Sequence, residues 1–252
     1  MANILDRYGI KEVADVTFYE IKDNGSKGAP VLYLDTLKVS TIEQTAEEAE
    51  ARGGKGNPPL IIWDYGKEIT VTLEDALFSA KSMAIMFGNG IVEETNTITK
   101  TVSFIGSTVP TDWTGPDGKK HTITSPSVYD GKGRIYNSSA TSDSETEFRS
   151  LASDGKYFAT FEVGIDGDVI EISAASFPGT YYVTGDTYAR SENGVDEFFQ
   201  FVIPKAKVQS ENTITLEAEG DPSVFNMNLR VMRPADGKMM KLIKYDLTDA
   251  AD

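Results

Sequence analysis

The chain has no cysteine, so disulfides, thiolate metal ligands and a thiol nucleophile are all excluded. It has one histidine, His121, in Gly118-Lys119-Lys120-His121-Thr122. One imidazole cannot satisfy the paired-histidine zinc patterns. A Ser–His–Asp triad would need that ring held by a carboxylate in a shielded pocket, and no Gly-x-Ser-x-Gly elbow accompanies it. His121 therefore reads as a solvated turn residue. Basic side chains are also scarce: 24 stand against 39 acidic ones, a net charge of −15 over 252 residues. Surfaces that grip nucleic acid phosphates or anionic lipid are basic, so both roles are disfavoured. No apolar run approaches the roughly 18 residues needed to span a bilayer. The first residues lack the basic start and apolar run of a signal peptide, and the expectation is a soluble product of a cytoplasm, with no membrane partner.

Other motifs dissolve on inspection. Gly53-Gly54-Lys55-Gly56 is glycine-rich, but Asn57-Pro58-Pro59 follows it, which is a poor start for a phosphate-binding helix; it reads as a hinge. Gly131-Lys132-Gly133-Arg134 reads as a turn. Asp166-Gly167-Asp168 opens like a calcium loop, yet Ile170 occupies the fifth position and the sixth-position glycine is missing. A hairpin turn between Phe158–Gly164 and Val169–Ser173 is the expectation there. Ser153-Asp154-Gly155-Lys156 has Ser-x-x-Lys spacing but turn chemistry. Nothing singles out two of the 39 carboxylates as an acid/base pair. The sequons Asn24-Gly25-Ser26 and Asn137-Ser138-Ser139 mark exposed loops. No catalytic, cofactor-binding or metal residues are assigned, and no cofactor is expected.

What the chain does have is strands. With 40% apolar and 10% aromatic residues it can bury a core. Val13–Ile21 and Val31–Val39 are β-rich runs joined by the turn-rich Lys22–Gly28. Thr97–Ile105 alternates with period two, placing Ile98, Val102 and Phe104 on one face. Further candidates are His121–Thr124, Arg134–Tyr136, Tyr157–Val163, Val169–Ile172, Thr180–Thr184, Glu197–Val202, Thr213–Ala218, Phe225–Val231 and Met239–Asp246. Many short-turned antiparallel strands imply a sandwich or barrel. One helix is expected over Leu73–Phe87: apolar residues at 73, 76, 77, 80, 84 and 87 follow a 3.6-residue period, Thr72 with Asp75 resembles a capping box, and Gly88 supplies a left-handed cap. Met83, Ile85 and Met86 widen its apolar stripe, which asks for cover from the sheet and from a neighbouring subunit.

Two stretches lack a strong period. Ser40–Pro59 is acidic and presents almost no apolar face, so alone it is expected to be a mobile loop; the alternatives are a solvated loop and an intersubunit arm. As an arm that orders on docking, its ~20 residues would cost on the order of 20 kcal/mol of backbone entropy. The second stretch, 107–153, reads as a loop-rich insertion with Trp113, Tyr129 and Tyr136 as anchors. No linker divides the chain, so one domain over 1–252 is expected.

The order of these elements resembles the major tail tube proteins of tailed bacteriophages. The resemblance is carried by Val31–Leu37 leading into the acidic stretch, by Pro59-Leu60-Ile61-Ile62-Trp63-Asp64-Tyr65-Gly66 running on to Leu77, by Gly179–Gly185, by Glu197–Val208 and by Gly220–Val231. It spans most of 1–104 and 155–246. It implies a mainly β fold, an antiparallel β-sandwich or barrel with one flanking helix (about 73–87) and a long acidic loop (40–59). It further implies a virion structural protein rather than an enzyme, assembled in the host cytoplasm into hexameric rings that stack around a channel for DNA. The loop would reach the adjacent ring, and candidate inter-subunit contacts are Ile42, Glu43, Glu47, Glu48, Glu50, Met83 and Met86. Partners would be other copies of the chain and further tail proteins: sheath, tape measure, baseplate or terminator. DNA would pass without specific binding, because excess negative charge repels phosphate. The competing readings are a head decoration or baseplate protein, a carbohydrate-binding β-sandwich using the exposed aromatics, and a carboxylate hydrolase.

Overall fold

The computed structural model describes residues 7–116, 118–136, 151–192, 194, 196–211, 213–214 and 224–245. Its elements in chain order are β1 (Tyr8–Ile10), β2 (Asp15–Ile21), β3 (Lys27–Leu34), β4 (Leu37–Arg52), β5 (Pro59–Asp75), α1 (Ala80–Phe87), β6 (Val92–Ile105), β7 (Asp112–Thr114) and β8 (Lys120–Thr122). They continue with β9 (Thr124–Asp130), β10 (Ile135–Tyr136), β11 (Lys156–Val169), β12 (Thr180–Ser191), β13 (Asp196–Val208), β14 (Phe225–Val231) and β15 (Lys241–Tyr245). The pairings are antiparallel, and the fold is mainly β with one helix among the described residues.

The chain divides into two compact units, one formed by Met1–Ile91 with Ile170–Asp252 and the other by Val92–Val169. The first holds nine strands in the order β3-β2-β12-β13-β14-β5-β4, with β1 on β12 and β15 on β13. That path has two ends, at β3 and β4, so the sheet is open and does not close as a barrel. Alternation sorts its side chains: Val16 and Phe18, Val71 and Leu73, and Phe225, Met227 and Leu229 face one shared core. Ile85 and Met86 of α1 complete it. Gly185 of β12 sits opposite Phe201 of β13, whose ring fills the space a Cβ would need.

In the second unit, β6 and β11 pair from Val92↔Val169 to Ile105↔Lys156, and β9 and β10 extend the sheet in the order β10-β9-β11-β6. Two small cores lie on one face, Val128 with Tyr136, Tyr157 and Ala159, and Ile123 with Phe161 and Val163. β7 and β8 form a separate hairpin that pairs Trp113 with His121.

Several sequence expectations are corrected. The helix is shorter than 73–87: β5 continues through Asp75, and the cap is Ser79, not Thr72. Ile69, Val71, Leu73 and Asp75 alternate inward with period two, and pairing with β14 fixes them as strand. Ser79 Oγ accepts from the Ser82 N–H at 2.9 Å while Ser82 Oγ accepts from the Ser79 N–H at 3.1 Å, a capping box built from two serines. The acidic stretch is not a loop but most of β4, paired along its length to β5. Its helix-favouring Glu and Ala residues adopt strand geometry because the β-branched and aromatic residues of β5 template them. Asp166-Gly167-Asp168 forms no turn: the three pair with Thr95, Glu94 and Glu93 inside the β6–β11 ladder. His121 lies half-buried on β8 with its ring 5.5 Å from that of Trp113, rather than in a solvated turn. Within 107–153, residues 117 and 137–150 lie outside the described residues, as do 215–218 of the strand expected at Thr213–Ala218.

Candidate assembly surface

The β4–β5 hairpin is exposed over most of its length. On its inner side β5 pairs with β14 only from Thr70 to Asp75, whereas β4 follows β5 along its whole length. Beyond Ile69 the hairpin is a two-stranded ribbon whose residues are exposed on both faces. Its root is pinned by an ion pair between Arg230 and Glu68 and by the Thr72–Asn228 side-chain hydrogen bond at 3.0 Å. Its tip is Gly53–Pro58, where the Gly53 N–H donates to the Pro58 carbonyl and the Asn57 N–H to that of Gly54. The hinge reading of these glycines thus becomes a hairpin tip.

A β-bulge sits partway out. Thr45 pairs with Glu68 and Glu47 with Tyr65, so Gly66 and Lys67 oppose Ala46 alone. Gly66 takes φ +63°, the left-handed conformation that a glycine bulge needs. Past it, one ribbon face carries Ile61, Trp63 and Tyr65 opposite Ala51, Ala49 and Glu47. The other carries Ile62 and Asp64 opposite Glu50 and Glu48. Small alanines beside an indole and an isoleucine leave those side chains standing proud. Leu60, Ile61, Ile62, Trp63 and Tyr65 are each between 51% and 65% exposed. A run of large apolar side chains left in water marks an interaction surface.

The candidate contact residues fall in two groups. Ile42, Glu43, Glu47, Glu48 and Glu50 all lie on β4 and are exposed. Glu47 joins the Trp63 face, Glu48 and Glu50 cluster with Asp64 on the other, and Ile42 and Glu43 lie nearer the root opposite Val71 and Thr70. Met83 and Met86 are not near them. Met86 is 1% exposed within the chain's own core, and Met83 is half-buried against that core. Residues 60–65 were missed in sequence because Pro59–Val71 reads equally well as a core strand; the available signal was a continuous apolar run directly after a Gly-Pro turn.

Of the aromatic anchors named from sequence, Tyr129 is half-buried on β9. Tyr136 is buried and Trp113 packs against the Ile123–Phe161 cluster. A cavity of the first unit, about 550 Å³, is lined by Asp15, Asp186, Thr187 and Tyr188 among others. Its carboxylate Asp186 is engaged structurally, accepting from Gln200 Nε2 at 2.7 Å and from the Tyr245 hydroxyl at 2.9 Å. Burial, with Asp186 beside it, pushes the Tyr245 hydroxyl above its usual range, which suits a fixed donor. Among the described residues no group of three or more His, Asp or Glu side chains is placed to hold a metal ion.

Comparison with known proteins accounts for a chain whose most distinctive surface is an exposed arm. A model of the YomU/Tube protein family matches residues 8–244, which covers both units and the whole hairpin. A curated relative, the tail tube protein of Bacillus phage SPR, is 24% identical over 212 residues, covering 82% of this chain and 78% of the relative. A match over this extent decides the matter: the chain belongs to the YomU/Tube protein family and is a non-enzymatic structural protein of the bacteriophage tail tube.

Proposed function

We propose that the chain assembles with copies of itself into hexameric rings that stack, through the β4–β5 arm, into a tube through which DNA passes. The observation that carries this is the arm: a preformed ribbon whose Leu60–Trp63 and Tyr65 side chains are left in water by the free chain. Burying a Trp, Ile or Tyr side chain contributes about 1.5–3 kcal/mol each, so a few such residues supply a stable contact. Because the arm is already paired, docking does not have to order ~20 residues from coil; the entropic cost of a disordered arm falls away. The open sheet adds support. Among the described residues nothing pairs with the outer edge of β3 or of β4, and unprotected edges are relieved by pairing between subunits. Lateral closure of such edges gives rings, and an arm that contacts a different surface gives a stack.

The net charge of −15 suits a conduit, since repulsion of phosphates lets DNA slide without adhering. Assembly in the host cytoplasm, and contacts with a sheath, tape measure, baseplate or terminator protein, follow from the same reading. Light scattering across a concentration series tests it, comparing the intact chain with Trp63→Asp. The intact chain should polymerise above a threshold concentration, and the variant should need at least about tenfold more, the effect of losing ~1.4 kcal/mol or more per contact. Equal thresholds would remove the arm from the account.

A further inference from the structure

We propose that the arm docks in a specific receptor on a second copy of this chain: the groove between α1 and the β3 edge. This rests on the tube reading and names the partner surface of its arm. The groove has a volume of about 430 Å³ and is lined by Val31, Ile85, Ile91, Phe177 and Tyr181, with Lys81 at its rim. It exists because α1 ends at Gly88 in the left-handed conformation, φ +78°, and the Phe177–Pro178 backbone crosses where a Cβ would stand. The Pro178 carbonyl is held by Lys207 Nζ at 3.1 Å, which fixes that wall. Phe177 is 65% exposed, so the wall offers a large aromatic surface that its own chain does not cover.

Three properties of the arm match this groove. First, its Ile61–Trp63–Tyr65 face can cover the apolar part of the lining, Phe177 above all, while Glu20, Lys81 and Asn89 make the rest of the groove polar. Second, Glu47 shares that face through its pairing with Tyr65, and Lys81 stands ready on the rim to meet it. Third, the contact must be between copies. Trp63 lies about 40 Å along β5 from Asp75, at ~3.3 Å per strand residue. Lys81 is only six residues beyond Asp75, within about 21 Å of it. An arm cannot reach its own groove without breaking its ladder. Arm and groove are also different surfaces, so the contact is heterologous and propagates along a stack instead of closing a dimer.

The test pairs two variants that each keep one half of the contact, Trp63→Asp with an intact groove and Phe177→Asp with an intact arm. Each alone should show the wild-type circular dichroism and fail to elongate. Mixed one to one, they should form a complex of twice the mass of either alone, because one good arm can meet one good groove. Phe177→Asp that elongates like the wild type would overturn the groove while leaving the tube reading intact. A wild-type chain that never elongates would instead defeat the tube reading. Cross-linking decides the groove in either case, and should one of these variants misfold, because the chain has no cysteine of its own. Glu47→Cys mixed with Lys81→Cys, which leaves Trp63 and Phe177 in place, should give an intermolecular product with a short thiol-specific cross-linker; its absence, when both variants are folded, overturns the proposal.

Discussion

Gly88 and Asp130 illustrate how single residues hold this chain in shape. Gly88 closes α1 by donating to the Ala84 carbonyl at 2.9 Å, with positive φ and the Phe177–Pro178 backbone packed against it. Gly88→Ala meets both the left-handed strain and that backbone, and should destabilise by about 1–3 kcal/mol. Thermal unfolding should show it as a loss of about 2–4 °C per kcal/mol. Asp130 anchors the β9–β10 turn. Burial pushes its carboxyl up, but hydrogen bonds from the Arg134 and Lys132 N–H groups and the Arg134 guanidinium outweigh this and hold it at about 2. A depressed carboxyl stabilises the fold above its unfolded pKa, near 4, and the contribution is lost as pH falls towards 2. The Tm gap between wild type and Asp130→Asn should therefore be present at about pH 6, shrink between about pH 4 and pH 2, and vanish below that. A gap independent of pH would contradict the assigned role.

Among elements, the β4–β5 hairpin is the one to which the proposed assembly role belongs. A symmetric truncation follows from its register: Thr45 and Glu68 are paired, so residues 46–67 can be replaced by Asn-Gly, which favours a two-residue hairpin turn. Circular dichroism should report an unchanged fold, since the residues removed lie beyond the core, and sedimentation should show no elongation. A truncated chain that still made tubes would contradict the arm's role. In sequence, the importance of this region was visible but its form was not. Period-two runs such as Phe225–Val231 and Thr97–Ile105 marked strands because half of each run is buried and the other half is not. The acidic residues of β4 carry no such contrast, being exposed on both faces, and their propensity is helical. Only long-range pairing with β5 makes them a strand. The same competition misplaced the helix start: Leu73 fits a helical stripe and a core strand equally, and β14 settles it.

For the molecule as a whole, the chain's division into two units is itself testable. Val92 and Val169 are cross-strand partners, so the ends of the second unit leave side by side. Replacing 92–169 with a short Gly/Ser linker should leave the first unit folded, with its heat-unfolding transition retained. Loss of that transition would mean the two units fold as one. From sequence, the insertion was placed at 107–153 because that stretch lacks periodicity; β6 and β11, which belong to the same unit, look like any other core strands and gave no sign of the boundary. The mainly β class was legible throughout.

The account's central claim is that copies of this chain build a tube by stacking through the arm. Negative-stain electron microscopy of the purified chain, at low and high concentration and beside the hairpin truncation, tests it most directly. Hollow tubes or stacked rings from the intact chain, and none from the truncated one, are the predicted result. Discrete particles of single-subunit size at every concentration, or tubes from both chains alike, would contradict it.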